Sequence, residues 1–368
     1  MKRKKLKYFW LVLFLTTVTL GFYSMRTAST DEMKRTMYSD WSDYNVISKG
    51  KSAYVKTGTS DQGALVLSEG QGYGMYIAVE AEMQGYHSQK EFTKLYKYYL
   101  DHRISGTQLM SWKQIVKADG SIDVLANSAT DGDLYIAYSL IKAAELWPAK
   151  AKAYQKQAKL LLEDILKYNY NSQTNSLTVG NWAAVGTEYY ELVRTSDILP
   201  EQFDTFYTFS KDDTWKKIKS SMLNSLKKMS DKNQTGLIPD FMWVRANGKV
   251  EAAKANLVAT DYDGDYYYNA CRLPYNLARS KDKTGQKVLK KMMDFFMKQD
   301  TIYAGYKLNG QNLETYQSAS FTAPVFYAAK SNNRYNRLVQ QEKNTVIEGI
   351  PSNNYYDAAL TTMSVLSK

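Results

Sequence analysis

The sequence predicts an all-α domain whose helices form a barrel or toroid in preference to a four-helix bundle. Helical periodicity recurs along the 368-residue chain, whereas the alternation typical of strands is sparse. The connections between helices are long, polar and rich in Gly, Asn, Asp and aromatic residues, and such loops in a compact domain are usually functional. Six segments place apolar residues at helical spacing: residues 74–83, 91–104, 133–147, 153–168, 215–229 and 285–298.

The chain begins with a short basic segment followed by an apolar segment. This order predicts that the protein is exported from the cytoplasm. Five positive residues precede an apolar run, Tyr8 to Met25. A run of this length is at the lower limit for a spanning helix, and no strong cleavage site follows it. We therefore predict that residues 1–29 are an uncleaved membrane anchor, with the positive residues inside and the remaining chain outside the cell. Cleavage at "TAST" would instead give a secreted protein.

Residues 30–368 are predicted to form one continuous domain. Residues 30–56 are polar and read as a short tether, in which Trp41 and Tyr44 are the first candidates for packing. The chain has six prolines and shows no clean repeat or later linker. One domain, expected to be monomeric, therefore follows the N-terminal segment.

Charge and cysteine content exclude several classes of function. The formal net charge is +11, but residues 1–26 supply six of these charges, which leaves +5 for the rest. No cluster of Arg and Lys with interleaved aromatic residues occurs there, so a nucleic-acid partner is not expected. The single Cys271 cannot form an internal disulfide, and the two histidines cannot build a His-rich metal site. We expect neither a metal nor a cofactor.

The stretch "GALVLSEGQGYGMYIAVEAEM" resembles a phosphate-binding loop but lacks the required residues. Met75 occupies the place of the third glycine in a dinucleotide fingerprint, and no G-K-[ST] follows. The stretch instead presents one carboxylate, Glu69, at the start of a helix. Near a helix N-terminus its pKa would be lowered, so a general acid here needs burial or a neighbouring carboxylate. The alternative is an exposed capping residue.

A second group of carboxylates occurs in "SATDGDLYIAYSLIKAAELW". Asp131 and Asp133 stand at the start of an amphipathic helix. Both residues can also be explained as ordinary carboxylates in the first turn of a helix.

Together these two segments resemble glycoside hydrolase family 8. The pattern A-T-D-G-D-x-x-I-A-x-S-L-I-x-A-x-x-x-W resembles the family signature, and "SEGQGYGM" resembles its general-acid segment. Further similar segments follow in family order: "HRISGTQLMSW", "RTSDILP", "GLIPDF", "YYYNACRLPYNLA" and "NYYDAAL". The resemblance implies an (α/α)6 barrel and inverting hydrolysis of β-1,4-linked glycans. It also implies that Glu69 donates the proton and that Asp131 lies beside it at the cleavage point.

The catalytic base departs from the pattern that many family members share. In "YNACR" an amide, Asn269, stands where those members carry an aspartate, and an amide cannot take a proton from water. A second branch of the family also has Asn there and draws a glutamate from an upstream loop. In this chain that loop offers Asp261, Asp263 and Asp265 but no Glu. We predict Asp263 as the base, with Asp240 as the second choice.

Aromatic and polar residues in the loops are candidates for substrate binding. Aromatic rings stack on pyranose faces, and charged or amide groups bind sugar hydroxyls. Because the Asn269 branch includes enzymes that cleave chitosan, loop carboxylates are also expected to make an acidic cleft for a cationic polymer. The alternative is a glycan-binding protein without activity. The predicted substrate-binding residues are Tyr73, Trp112, Asp133, Trp182, Asp240, Trp243, Asn269 and Arg272.

Overall fold

The computed structural model describes residues 30–367 together with Val12, Leu13, Leu15, Thr16 and Thr19. Between residues 30 and 367 the chain is mostly helical. The helices there are α1 (30–45), α2 (Ser68–Met83), α3 (Gln89–Asp101), α4 (Thr130–Leu146), α5 (Ala151–Tyr168), α6 (Pro200–Ser210), α7 (Thr214–Ser230), α8 (Leu273–Ala278), α9 (Lys283–Phe296), α10 (Ala319–Lys330), α11 (Asn336–Ile347) and α12 (Tyr355–Leu366).

Six of these helices form a closed ring. Helix α2 packs on α4, and the contacts continue through α6, α8, α10 and α12 before α12 returns to α2. The odd-numbered helices α3, α5, α7, α9 and α11 each pack on the ring helix that precedes them. This double ring is consistent with the predicted (α/α)6 barrel. Most of its core is one large apolar cluster, which contains fully buried side chains such as Trp41, Tyr73 and Trp215, and a second, smaller cluster surrounds Phe241.

The prediction of an all-α domain misses four small antiparallel sheets in the connections. One has the order β3 (Gly58–Ser60), β4 (Gly63–Leu67), β5 (Lys113–Lys117), β6 (Ile122–Leu125). A second has the order β11 (Val250–Ala252), β10 (Phe241–Val244), β9 (Leu192–Arg194). Two hairpins pair β1 (Val46–Lys49) with β2 (Ser52–Val55), and β7 (Tyr170–Asn171) with β8 (Ser176–Leu177). These strands have five residues or fewer, so they carry little alternation to detect.

All six predicted segments coincide with helices, α2, α3, α4, α5, α7 and α9, although the predictions for α3, α4 and α9 run one to three residues past the helix ends. The predicted tether is different, because residues 30–45 form α1 and residues 46–55 form the first hairpin. Met37 and Trp41 of α1 are buried in the core. The segment is therefore part of the domain and not a linker to it.

The predicted anchor, Tyr8 to Met25, falls outside the described residues except at five positions. Among the residues that are described, no helix has the length and apolar character that crossing a bilayer requires.

Candidate active site

The candidate active site lies at the N-terminal ends of four ring helices. Glu69 is the second residue of α2 and Asp131 the second residue of α4. Arg272 closes a 3-10 turn that runs into α8, and Tyr355 is the first residue of α12. The barrel thus brings together residues that are more than 280 positions apart in the chain, such as Glu69 and Tyr355.

Two glycines allow α2 and α4 to approach closely at this point. A Cβ on Gly132 would lie 2.6 Å from the carbonyl carbon of Ser68, and a Cβ on Gly72 would lie 2.9 Å from the carbonyl oxygen of Gly132. Both distances are far below van der Waals contact. Glycine at these positions therefore permits the approach that sets Glu69 beside Asp131.

A cavity of about 690 Å³ opens above these helix ends. Its lining combines ionisable, amide and aromatic side chains, a mixture typical of sites that bind small polar ligands. The residues of these types that line it are Glu69, Asp131, Arg194, Asn127, Asn269, Trp112, Trp182, Tyr189 and Phe241.

Glu69 has an environment in which its carboxyl group holds its proton to a higher pH than an ordinary glutamate does. Burial raises the pKa of Glu69 to about 6, although the neighbouring guanidinium of Arg272 opposes this shift. Arg272 Nη1 donates to one carboxylate oxygen at 2.8 Å, and the Tyr355 hydroxyl donates to the other at 3.2 Å. These two donors would stabilise the carboxylate that remains after Glu69 has given up its proton.

Asp131 has the opposite electrostatic environment. Burial works against its charged form, but Arg194 and Arg272 outweigh burial and hold the pKa of Asp131 below its ordinary value. Arg194 Nη1 lies 2.7 Å and Arg272 Nη1 3.2 Å from the same carboxylate oxygen of Asp131. The other oxygen accepts the backbone N–H of Gly132 at 2.9 Å. The site therefore pairs a carboxyl group whose pKa is raised, Glu69, with one that is held in its ionised form, Asp131.

The separation of these two carboxylates limits their roles. One nitrogen of Arg272 lies 2.8 Å from an oxygen of Glu69 and 3.2 Å from an oxygen of Asp131, so those oxygens are at most 6.0 Å apart. An inverting pair needs room for a water and stands about 6.5–9.5 Å apart. These two oxygens lie closer than that range, and both oxygens of Asp131 are already bound by guanidiniums or by the backbone N–H of Gly132, so Asp131 is not placed to take a proton from water.

Asn269, the amide at the usual base position, lines the cavity and is rigidly held. Its side-chain Nδ2 donates to Asp240 at 3.0 Å, and its Oδ1 accepts from Arg272 Nη2 at 2.7 Å. Asp240 also accepts the backbone N–H groups of Tyr267, Asn269 and Ala270. Asp240 is buried behind Asn269 and is not among the cavity-lining residues, contrary to its prediction as a substrate-binding residue.

Asp263 does not occupy the position expected of a base. It is fully buried and is not among the residues that line the cavity. Its carboxylate accepts the backbone N–H groups of Val258, Ala259 and Thr260 at 2.6 to 3.0 Å. Val258 and Ala259 line the cavity. Asp263 thus stabilises the backbone of the cavity wall from the side that faces the protein interior. A carboxylate in this position does not contact the cavity and is not suited to take a proton from water there.

The structure divides the other predicted substrate-binding residues into two groups. Trp112 and Trp182 line the cavity, and Arg272 forms ion pairs with the carboxylates of Glu69 and Asp131. Three residues lie outside the cavity, which corrects their prediction as substrate contacts. Tyr73 is buried beneath Arg272, Asp133 accepts the backbone N–H of Met110 inside the core, and Trp243 packs under the guanidinium of Arg245.

Sequence reasoning missed Arg194, Tyr355 and Asp197. Arg194 and Asp197 belong to the quoted segment "RTSDILP" and Tyr355 to "NYYDAAL", so the signal was present but no role was assigned. Asp197 is buried 3.8 Å from Arg194, and neither of its oxygens has a hydrogen-bond partner among the described residues. Burial raises the pKa of Asp197 to about 8, so this residue is uncharged at neutral pH.

A helical double ring with an acid and an ionised carboxylate at one end is an architecture of glycoside hydrolases. The chain belongs to glycosyl hydrolases family 8, whose family model matches residues 15–368. An endoglucanase from Bacillus sp. (strain KSM-330) is 32% identical over 73% of this chain, and a β-glucanase from Niallia circulans is 29% identical over 95%. The chain spans 60% of the first relative's length and 88% of the second's.

The fold is also that of solved structures. The apo structure of a β-1,3-1,4-glucanase from Paenibacillus sp. X4 aligns with a TM-score of 0.84 and 25% identity, covering 92% of this chain and 91% of that one. Rex8A from Paenibacillus barcinonensis, solved with xylose, aligns with a TM-score of 0.73 and 21% identity over 92% of each chain.

Proposed function

We propose that this protein hydrolyses internal β-1,4 linkages of a β-glucan with inversion of configuration. The observation that carries the proposal is the pairing, in one aromatic-lined cavity, of Glu69, whose pKa burial raises to about 6, with Asp131, which two guanidiniums hold ionised. The names of the relatives, endoglucanase and β-glucanase, support a glucan as the substrate.

In the proposed reaction Glu69 protonates the glycosidic oxygen as the bond to the leaving sugar breaks. A general acid works best when its pKa lies near the working pH, and a value of about 6 meets that requirement. Arg272 and Tyr355 then hold the new carboxylate through two hydrogen bonds. Proton transfer is therefore favoured without a change in the surrounding hydrogen-bond donors.

Asp131 binds and orients the sugar at the cleavage point in this proposal. Its negative charge, fixed by Arg194 and Arg272, lies beside the position where the sugar ring gains positive charge. A fixed charge of this kind stabilises an oxocarbenium-like transition state without any reorganisation. Trp112 and Trp182 supply the stacking surfaces for neighbouring sugar units.

Neither Asp263 nor Asp240, the two carboxylates predicted as the base, lines the cavity, and variants of both test whether either activates the attacking water. Asp263→Asn is expected to loosen the wall of Val258 and Ala259 and to slow cleavage of glycans and of a β-glycosyl fluoride alike. Because this effect comes from the wall, azide should not restore turnover. Restoration by azide in Asp263→Asn, or in Asp240→Asn, would identify that residue as the base.

The charge of the cavity supports a neutral polysaccharide over chitosan. Of the loop carboxylates expected to form an acidic cleft, Asp131 lines the cavity, and two guanidiniums pair with it. Asp133, Asp240 and Asp263 are buried away from the cavity. The cationic chains of chitosan would therefore gain little electrostatic attraction there.

Release of reducing ends from β-glucan, chitosan and native matrix polysaccharide by the full chain tests this function. Cleavage of β-glucan, and inversion of the product anomer seen by NMR, are the expected results.

The second candidate is a glycan-binding protein without activity, which Asn269 at the usual base position favours. Oligosaccharide binding with no cleavage over days would support that candidate instead.

We further propose that residues 1–29 anchor the protein in the cell membrane with the catalytic domain outside. The basic residues followed by the apolar run support this location. Cell fractionation with intact-mass analysis tests it. A protein in the medium that starts near residue 30 would show that the segment is a cleaved signal.

A further inference from the structure

The end of the barrel opposite the active site carries most of the positive charge of residues 30–368. Helices α4 and α8 begin at the active site, and so does α6, because Arg194 shortly before it lines the cavity. The connections that follow these three helices therefore lie at the other end of the barrel. The 17 residues of α4 separate the two ends by about 25 Å.

The three connections and the first turns after them are residues 147–153, 211–217 and 280–286. They contain seven lysines and three aspartates, a net charge of +4, whereas residues 30–368 together carry +5. Asp213 pairs with Lys216 at 3.0 Å, and Asp212 and Asp282 accept backbone N–H groups at the starts of α7 and α9. The other six lysines are exposed, and none forms an ion pair with a residue that the structure describes. We call these six the lysine face: Lys150, Lys152, Lys211, Lys217, Lys281 and Lys283.

The three connections are neighbours in the ring. Helix α6 packs on α4 on one side and on α8 on the other. Lys219 of α7 lies 2.7 Å from Asp204 of α6 and 3.8 Å from Asp282, which precedes α9. The lysine face is therefore one surface that extends over three adjacent connections.

The domain also begins at this end of the barrel. Tyr86 follows the C-terminal end of α2, and its hydroxyl donates to the backbone carbonyl of Asp31 at 3.2 Å. The guanidinium of Arg35 lies 4.9 Å from the centre of the same ring. Glu69 is at the opposite end of α2, roughly 20 Å away along the helix. Residues 1–29 therefore join the domain at the end that carries the lysine face.

We propose that the lysine face lies on the anionic phospholipid surface of the membrane, so that the catalytic cavity opens away from it. The inference rests on the membrane location proposed above. An anchor that joins the domain at this end holds the six lysines near the headgroups. Each lysine close to an anionic bilayer favours contact roughly fivefold. The cavity then faces polysaccharide outside the cell and not the lipid.

Energy transfer from a fluorophore on the full chain to acceptor-labelled lipid tests this orientation. Cys271 is buried, so a label reacts at an introduced, exposed cysteine. Ala149→Cys places the label beside the lysine face, and Val185→Cys places it between the cavity-lining residues Trp182 and Tyr189. In vesicles of phosphatidylcholine with phosphatidylglycerol, transfer from position 149 should exceed transfer from position 185. In vesicles of phosphatidylcholine alone, the difference should be smaller.

Charge reversal identifies the surface responsible. In each labelled chain, Lys217→Glu with Lys281→Glu should lower the weight of the bound orientation at least about 25-fold on anionic vesicles and make the two labels alike. Lys254→Glu with Lys307→Glu is the matched control, because it changes the net charge equally at exposed positions. These two lysines lie in the connections that lead into α8 and α10, at the active-site end. The control should keep the difference between the labels.

The other outcomes separate failure of the orientation from failure of the location. Equal transfer from both labels, in a chain that floats with both kinds of vesicle, would leave the anchor intact and overturn this inference. An equal difference on neutral and anionic vesicles, or a loss of the difference in the control variant, would show that the lysine face does not set the orientation. A chain that floats with neither kind of vesicle would overturn the proposed membrane location, and with it this inference.

Discussion

Glu69 retains its proton at mildly acidic pH because burial opposes its charged form more than Arg272 favours it. A proton donor is active in its protonated form, so activity should decline as the pH rises through about 6. We expect kcat/KM on an oligosaccharide to fall up to tenfold per pH unit above this value. A β-glycosyl fluoride needs no proton donor, and its profile should lack this decline. Identical profiles on the two substrates would contradict the role of Glu69.

Asp197 should make the folded protein less stable as the pH rises. Its pKa is raised to about 8 by burial, whereas an unfolded aspartate titrates near 3.9. Between these values the folded state holds a proton that the unfolded state has lost, so stability falls with rising pH. Asp197→Asn carries no such proton. Its melting temperature relative to wild type should therefore increase from pH 5 to pH 8, by several degrees. A constant difference would show that Asp197 is ionised in the folded protein.

The sequence predicted the positions of some site residues better than those of others. Glu69 and Asp131 were identifiable because each begins a helix within a specific motif. The position of Asp263 was not, since a run of loop aspartates does not reveal which carboxylate turns toward the backbone. Its three backbone hydrogen bonds come from a turn whose shape only the folded loop defines.

The approach of α2 and α4 is the element-level requirement of the site. Gly132→Ala would place a Cβ 2.6 Å from the backbone of Ser68, so the two helices must separate or tilt. Glu69 and Asp131 lie in the first turns of these helices, so a movement of the helices displaces both carboxylates. We therefore expect kcat/KM to fall at least about 100-fold and the melting temperature to decrease. Gly58→Ala is the control, since its nearest neighbour would be a Leu65 methyl at an ordinary 3.5 Å. Full activity in Gly132→Ala would contradict the close-approach argument.

Periodicity identified several outer helices with one buried face but missed the ring helices α10 and α12. Outer helices such as α5, α7 and α9 alternate apolar and charged faces, and this pattern is detectable in a sequence. The ring helices α10 and α12 are buried along most of their length and contain small, hydroxyl and aromatic residues without such a stripe. Their assignment depends on neighbours that are distant in the sequence.

At the scale of the whole molecule, the positive net charge and the charge of the cavity are separate properties. Six of the eleven excess charges belong to residues 1–26, while the cavity pairs Asp131 with Arg194. A neutral glucan carries no charge, so its binding involves no ionic attraction that salt could screen. Binding should therefore not depend on the salt concentration. We expect kcat/KM on β-glucan to change less than about twofold between 50 and 500 mM NaCl. Cleavage of chitosan that is faster than that of β-glucan and is suppressed by salt would show an acidic cleft.

The central claim is that Glu69 is the proton donor of a glycoside hydrolase, and the variant Glu69→Gln tests it most directly. Glutamine keeps the shape of the side chain and can accept the hydrogen bond from Arg272 through its single oxygen, but it has no acidic proton. The rates of Glu69→Gln and wild type should be compared on a β-glucan oligosaccharide and on the matching β-glycosyl fluoride. The account predicts a loss of about 10²–10⁴-fold or more on the oligosaccharide and a much smaller loss on the fluoride. Equal losses on both substrates, or an oligosaccharide rate close to wild type, would contradict it.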